Sequence, residues 1–354
     1  MTLDVAANRP AFTAAAALQL AAAHYGRRYE LATPLPSDRD QNFLLRGGDL
    51  DPAVLKIAGA AEDEAVLDLQ NRALLHLARH EDIRLFISTL IPTQHGAIMI
   101  RVRGANGRFH FLRLLSYLPG LPLAVAQPHT PDLLWQSGRL LGQVDAILRD
   151  FRHPAAGRHL HWDLEHAPVT IRRYAPAISD PRQRTLVALF LDRFQADIAP
   201  HLGALRRGVI HSDGNDHNLL VSPAGQRPRR IVGLIDFGDM VHSPLLFEAA
   251  IAAAYLMLDK PDPVGTAAQV VAGFHSVMPL TETEVDLLPA AIAIRLSISV
   301  CLSAHQKAQE PHNAYLAVSE APAWRLLARL AAVPPPQFRA VLRAACGFDP
   351  YSAS

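Results

Sequence analysis

Between Val209 and Met240 the chain sets polar side chains at spacings that fit chemistry. The stretch GVIHSDGNDHNLLVS places His211, Asp213 and Asn218 in the order H-x-D-x-x-x-x-N, and RRIVGLIDFGDM delivers Asp236 ahead of Phe237, Gly238 and Asp239. An aspartate beside a hydroxyl can take its proton during nucleophilic attack. Aspartate and asparagine supply the hard oxygen donors that magnesium prefers. The residue types therefore fit proton transfer next to a divalent cation. Apolar runs lead into both groups, so the stretch predicts two short strands with a loop between and after them.

The rest of the chain must hold those loops. Its 354 residues, 50% of them apolar, are enough for two lobes and a large core. A formal net charge of +1 gives no electrostatic reason to expect a nucleic-acid partner. Cys301 and Cys346 make no disulfide framework, and a reducing cytoplasm is the expected compartment. The Ala-rich run from Ala11 to Ala23 lacks a basic leader and a cleavage site, and predicts a helix ended by Gly26. Ile292 to Val300 is apolar but interrupted by Arg295, and no stretch approaches the roughly 20 residues of a membrane span, so no membrane partner is expected.

In chain order, Tyr29–Leu35, Asn42–Leu45 and Ala53–Ala58 predict strands of a small antiparallel sheet, with Lys56 inside the third. A lysine at a sheet edge, its stem buried and its head in water, is one reading of Lys56. Glu62 to Ala78 has a helical apolar face. Arg84–Thr93, Ala97–Arg103 and Phe109–Ser116 predict further strands, the last two joined by a turn at Gly104 to Gly107. From Pro131 the pattern turns mainly helical, with long helices over Leu133–Leu148, Pro181–Ile198 and Leu287–His305 and an Ala-rich helix within Val241–Leu258. His159, His161 and His166 do not form a metal-ligand set of the H-E-x-x-H kind. Trp162 and Asp163 could line a site, or serve as a buried aromatic and a helix cap.

Taken together, these residues resemble the aminoglycoside phosphotransferase and choline kinase-like family, and within it the hydroxylysine kinases and their bacterial relatives. The resemblance is carried by Ser37-Asp38-Arg39-Asp40-Gln41-Asn42-Phe43, Leu55-Lys56-Ile57, Arg113 through Gly120, His161-Trp162-Asp163-Leu164, Asp213 through Leu219, Ile235 through Met240, and Pro311 through Leu316 with Trp324. It implies an α+β, two-lobed protein kinase-like fold: a small antiparallel-sheet N-lobe over residues 1–115 that binds nucleotide, and a mainly helical C-lobe over 116–354. It implies that Asp213 is the catalytic base, that Asn218 and Asp236 hold magnesium, and that Lys56 neutralises phosphate charge. Ser37 belongs to a phosphate-covering turn, here without glycine. Ser116, Tyr117 and Leu118 would form a hinge whose unpaired backbone groups meet the nucleobase of ATP or GTP, a plain connecting loop being the alternative. His211 would stabilise its loop by hydrogen bonding. The usual acidic partner of Lys56 is missing, and Gln70 stands at its register. Gly214 departs from the leucine common in the broader family.

The expected function is transfer of a nucleotide γ-phosphate to a hydroxyl of a small amine or amino acid. 5-Hydroxylysine leads; homoserine, ethanolamine or an aminoglycoside are alternatives, as is a nucleotide-binding module without catalysis. An amino-acid acceptor needs a carboxylate for its ammonium and an arginine for its carboxylate. Asp216, Asp239, Glu248 and Arg295 are the candidates, with Arg295 paired to Glu248 or another acid as the structural alternative. No oligomeric state follows from the sequence.

Overall fold

The computed structural model describes residues 8–37, 40–105, 107–223, 225–226, 228–309 and 320–352. They fall into two compact units, Met1–Pro119 and Gly120–Ser354. Asp38, Arg39 and Asn106, and the segment Pro311 to Leu316 that contributed to the family likeness, lie outside the described residues.

The first unit opens with α1 (Ala14–Tyr25). Thr13 caps it by accepting from the Ala16 N–H, and Gly26 ends it at φ 65°, a left-handed conformation that costs glycine little. The sheet that follows comprises β1 (Leu31–Leu35), β2 (Gln41–Arg46), β3 (Ala53–Ile57), β4 (Leu90–Ile91), β5 (Ile100–Arg103) and β6 (Phe109–Ser116). Its order is β1-β2-β3-β6-β4, with β5 also on β6 and every pairing antiparallel. Ala17, Ala21 and Tyr25 of α1 close over Phe43, Leu45, Leu55, Ile57, Leu112 and Leu114, all buried, to make the core of this unit. The strand expected over Arg84–Thr93 is reduced to Leu90–Ile91. A one-turn helix, Glu81–Arg84, occupies its approach, with acidic residues in its first turn where the helix dipole favours them. Between β3 and β4, α2 (Glu64–Leu77) is capped by Asp63.

In the second unit, α3 (Pro131–Leu148) and α7 (Pro263–His275) cross at very short range. A Cβ on Gly138 would fall 1.9 Å from the Val270 carbonyl oxygen, and one on Gly273 the same distance from that of Trp135. Only glycine permits this approach. Around the pair stand α4 (Ala167–Tyr174), α5 (Pro181–Asp197), α6 (Leu246–Leu256), α8 (Glu282–Gln309), α9 (Glu320–Ala332) and α10 (Pro335–Ala345). Helix α8 begins in a capping box: the Glu284 N–H donates to Thr281 Oγ1, and the Thr281 N–H to a Glu284 carboxylate oxygen. It is longer than the sequence indicated, 28 residues with Pro289 inside it. Glu282–Ala308 is long and apolar enough to cross a membrane by length and composition, contrary to expectation. However, 83% of its apolar window is buried within the protein, which accounts for the apolarity as helix packing.

Short strands carry the loops of interest. β8 (Arg207–Ile210) pairs with β11 (Val241–Pro244), and β9 (Leu219–Val221) lies between β7 (Leu121–Pro122) and β10 (Ile231–Leu234). The sequence indicated two strands between Val209 and Met240; Leu219–Val221 adds a third.

Candidate active site

Strand β8 ends at Ile210 and β9 begins at Leu219, so His211 to Asn218 form the loop between them. His211 is fully buried. Its Nδ1 accepts from the Asp213 N–H at 3.3 Å, which leaves Nε2–H to donate to the Ile235 carbonyl at 3.1 Å. Its ring sits edge-on to Phe237, with centroids 4.8 Å apart. Burial holds its pKa below the ordinary histidine value, so it is a neutral strut with both nitrogens in use. Ser212 takes a left-handed φ of 65°, and its N–H donates to Glu248 Oε2 at 2.7 Å. That turn brings Asp213 outward, leaving its side chain 23% exposed.

Asp213 is surrounded by donors. Asn218 Nδ2 donates to Asp213 Oδ2 at 2.7 Å and to its backbone carbonyl at 2.9 Å, while Asn215 Nδ2 donates to Oδ1 at 2.9 Å. Arg295 Nη2 lies 3.6 Å from Oδ1. Burial, with the nearby Asp239 and Asp236 carboxylates, pushes the Asp213 pKa up to about 8 against the opposing pull of Arg295 and Asn215.

The second loop is tied to the first by the Ile235 N–H, which donates to the Asn218 carbonyl at 2.9 Å. Asp236 follows at φ 62° and ψ 72°, a left-handed conformation seldom taken by non-glycine residues, and its side chain is exposed. A single 3₁₀ turn, Phe237–Asp239, leads on to Met240 and β11. The donor set fits a divalent cation in a particular way. Among the described residues no three His, Cys, Asp or Glu side chains gather closely enough to hold a metal by themselves. The Asp236 and Asp239 carboxylates near Asp213, together with the Asn218 carboxamide oxygen, are hard donors that would suit a divalent cation.

Several expected residues are placed differently. Glu248, a candidate for the acceptor's ammonium, is fully buried beneath the loop with Oε2 on Ser212; it is a support, which corrects the expectation of a ligand. Arg295 is 2% exposed, donates through Nη1 to the Trp162 carbonyl at 2.9 Å, and lies over the rings of Trp162 and Tyr255 at 5.7 and 5.3 Å. The acid it approaches is Asp213. Asp163 caps the turn at Glu165 and accepts from Ser243 Oγ at 2.7 Å, the structural alternative of the two considered. Asp216 is half-buried, and burial raises its pKa against the opposing charges of His217, His129 and Lys260. Asp239 is half-buried near Asp213 and Arg295.

In the first unit, Lys56 lies on β3, an interior strand of the sheet, so the edge-lysine reading falls away. Its cross-strand neighbours are Asn42 and Arg113. The amides of α2 turn to Arg113: Gln70 Oε1 accepts from Arg113 Nη2 at 2.9 Å, while Asn71 Oδ1 accepts from Nη1 at 3.0 Å. Arg113, 3% exposed and read from the sequence only as part of a strand, takes the helix's amides for itself. Ser37 accepts at its carbonyl from Arg9. The hinge reading needs a correction. The Ser116 N–H is bonded to the Thr89 carbonyl at 2.8 Å and the Tyr117 N–H to that of Pro52 at 3.1 Å, because the sheet's pairing continues past β6. Among the described residues, no backbone carbonyl accepts from the Leu118 N–H.

The geometry has known counterparts. A solved amicoumacin kinase aligns with 95% of this chain and 97% of its own at a TM-score of 0.68 and 16% identity. A microcompartment-associated aminopropanol kinase aligns with 93% and 97% at 0.67 and 19%. These likenesses define a kinase-like fold. Residues 32–282 match the model of the phosphotransferase enzyme family (APH), and the chain belongs to that family. Curated relatives extend the match over most of the chain. A hydroxylysine kinase of Mus musculus is 30% identical over 344 residues, 92% of this chain and 91% of the relative. One of Danio rerio is 32% identical over 316 residues, 86% and 88% respectively.

Proposed function

We propose that this phosphotransferase moves the γ-phosphate of ATP or GTP to the hydroxyl of 5-hydroxylysine. The observation that carries the acceptor is the 30–32% identity to hydroxylysine kinases over most of both chains. Arg295 is assigned to the acceptor's carboxylate, which in 5-hydroxylysine lies four carbons from the reacting hydroxyl.

In this reading Asp213 accepts the hydroxyl proton as the oxygen attacks the γ-phosphorus. The bond between that phosphorus and the bridging oxygen breaks, and the nucleoside diphosphate leaves. Asn218 and Asn215 hold the Asp213 carboxylate in orientation through its two oxygens. Magnesium, when bound, neutralises phosphate charge. Asp236 and the oxygen of Asn218 are the residues assigned to hold it, and Lys56 is assigned to the phosphates. Leu118 is assigned to the nucleobase through its backbone N–H. Asp239 and Asp216 are assigned to the acceptor's ammonium groups.

The test is turnover by the purified chain with ATP or GTP, MgCl2 and a panel of 5-hydroxylysine, lysine, homoserine, ethanolamine and aminoglycosides. Nucleotide consumption dependent on 5-hydroxylysine, and absent with lysine, is the expected outcome. Turnover with another acceptor alone would reject the assignment.

A further inference from the structure

Arg158 follows the 3₁₀ turn Pro154–Gly157, far from the catalytic loops in sequence and outside every motif. Its guanidinium reaches the loop that carries Asp236: Nη2 donates to the Gly238 carbonyl at 2.6 Å and Nε to that of Met240 at 3.1 Å. This loop runs between β10 and β11. It contains one 3₁₀ turn, and it opens with Asp236 in a left-handed conformation, which persists only where the surrounding structure holds it. His211 fixes one end by donating to Ile235, and Arg158 fixes the other through two carbonyls. Asp236 stands exposed between these anchors.

We propose that Arg158 is a positioning residue for the divalent cation: its planar fork holds the Gly238 and Met240 carbonyls so that Asp236 is presented in its binding conformation. The inference rests on the reading that Asp236 holds the metal. An arginine suits the task because its donors are fixed in one plane, which a lysine cannot reproduce. Charge and position act in opposite directions here. As a bare positive charge near a cation site, Arg158 would weaken metal binding, and its removal would tighten it. As a positioning residue, its removal weakens binding. Loss of comparable outer partners of a metal ligand lowers affinity about 10–100-fold.

The experiment follows binding of the non-hydrolysable ATP analogue AMP-PNP to the full chain as MgCl2 is titrated, in wild type, Arg158→Met, Arg158→Lys and Asp236→Asn. The half-saturating MgCl2 concentration is expected to rise about 10–100-fold in Arg158→Met and by an intermediate factor in Arg158→Lys. AMP-PNP affinity in EDTA should stay unchanged, and amide exchange should quicken across 236–241. A magnesium requirement in Arg158→Met that matches wild type, or falls below it, overturns the proposal while leaving the metal loop intact if Asp236→Asn is impaired. If Asp236→Asn also matches wild type, the metal assignment and the proposal both fail. Should Arg158→Met not fold, Arg158→Lys decides, and a wild-type magnesium dependence there overturns the proposal.

Discussion

Gly214, beside Asp213, offers a sharp test of how the loop is seated. Its backbone is outside the left-handed region, so conformation alone does not require glycine, and alanine there would ordinarily stabilise by about 0.4–1 kcal/mol through the unfolded chain. Space decides otherwise. A Cβ would meet Leu141 Cδ1 at 2.7 Å, Glu248 Oε1 at 2.8 Å and Leu141 Cδ2 at 2.9 Å, all well inside the ordinary contact range that starts at 3.4 Å. Leu141 and Glu248 are both fully buried, so neither can swing into solvent. Overpacking of this kind costs about 1–3 kcal/mol. If Glu248 is the group that yields, its bond to the Ser212 N–H goes too, a charged hydrogen bond of about 1.5–3 kcal/mol. Gly214→Ala is therefore expected to destabilise by about 1–3 kcal/mol net and to lower the thermal midpoint by about 2–4 °C per kcal/mol. Moving Asp213 by even part of an ångström should cut kcat up to about a hundredfold. Scanning calorimetry and initial rates measure both effects, and the Leu141→Val background, which removes the clashing methyl positions, should recover much of each. A Gly214→Ala protein that melts with wild type and retains full kcat would refute the reasoning.

Other perturbations follow from the same geometry. Asp213→Asn should lower kcat by about 10²–10⁴-fold with AMP-PNP binding intact, as nucleotide titration and rate assays would show. Asp145 of α3 is fully buried with neither carboxylate oxygen partnered, and burial, with Glu248 nearby, raises its pKa well above the ordinary carboxylate value. The folded state thus keeps that proton to higher pH than the unfolded state, and its stability contribution is lost as pH rises. The melting advantage of Asp145→Asn over wild type should grow from pH 5 to pH 8, to about 1–3 kcal/mol, and parallel curves would contradict this. Gly138→Ala should disrupt the α3–α7 crossing by more than about 3 kcal/mol, whereas Gly203→Ala, with open space at its Cβ, should leave the melting temperature unchanged.

What the sequence revealed about this molecule was local chemistry. The loops that carry Asp213, Asn218 and Asp236 were readable because short apolar strands flank short polar stretches, and the end of α1 because Gly26 marks it. The supports were not readable, because they join residues far apart in the chain: Arg113 to Gln70 across 43 residues, Ser212 to Glu248 across 36, and Arg158 to Gly238 across 80. Gly214 read as a departure from the leucine of the broader family, but its lack of a side chain makes room for Leu141 and Glu248. The helix expected over Leu287–His305 already contained Pro289, and α8 extends it at both ends to Glu282–Gln309. The approach to β4 misled because Leu85, Phe86 and Ile87 have strand-like character while the acidic turn before them is helical. Backbone pairing at Ser116 and Tyr117 depends on Thr89 and Pro52, which local composition does not announce.

The central claim is that this phosphotransferase places its phosphate on the hydroxyl of 5-hydroxylysine through Asp213. Phosphorus NMR of a reaction containing the full chain, ATP, MgCl2 and 5-hydroxylysine tests it most directly. The account predicts a new phosphate-ester resonance growing with ADP, absent when lysine replaces hydroxylysine and nearly absent with Asp213→Asn. ADP formed without that ester, or an ester formed equally well by Asp213→Asn, would contradict it.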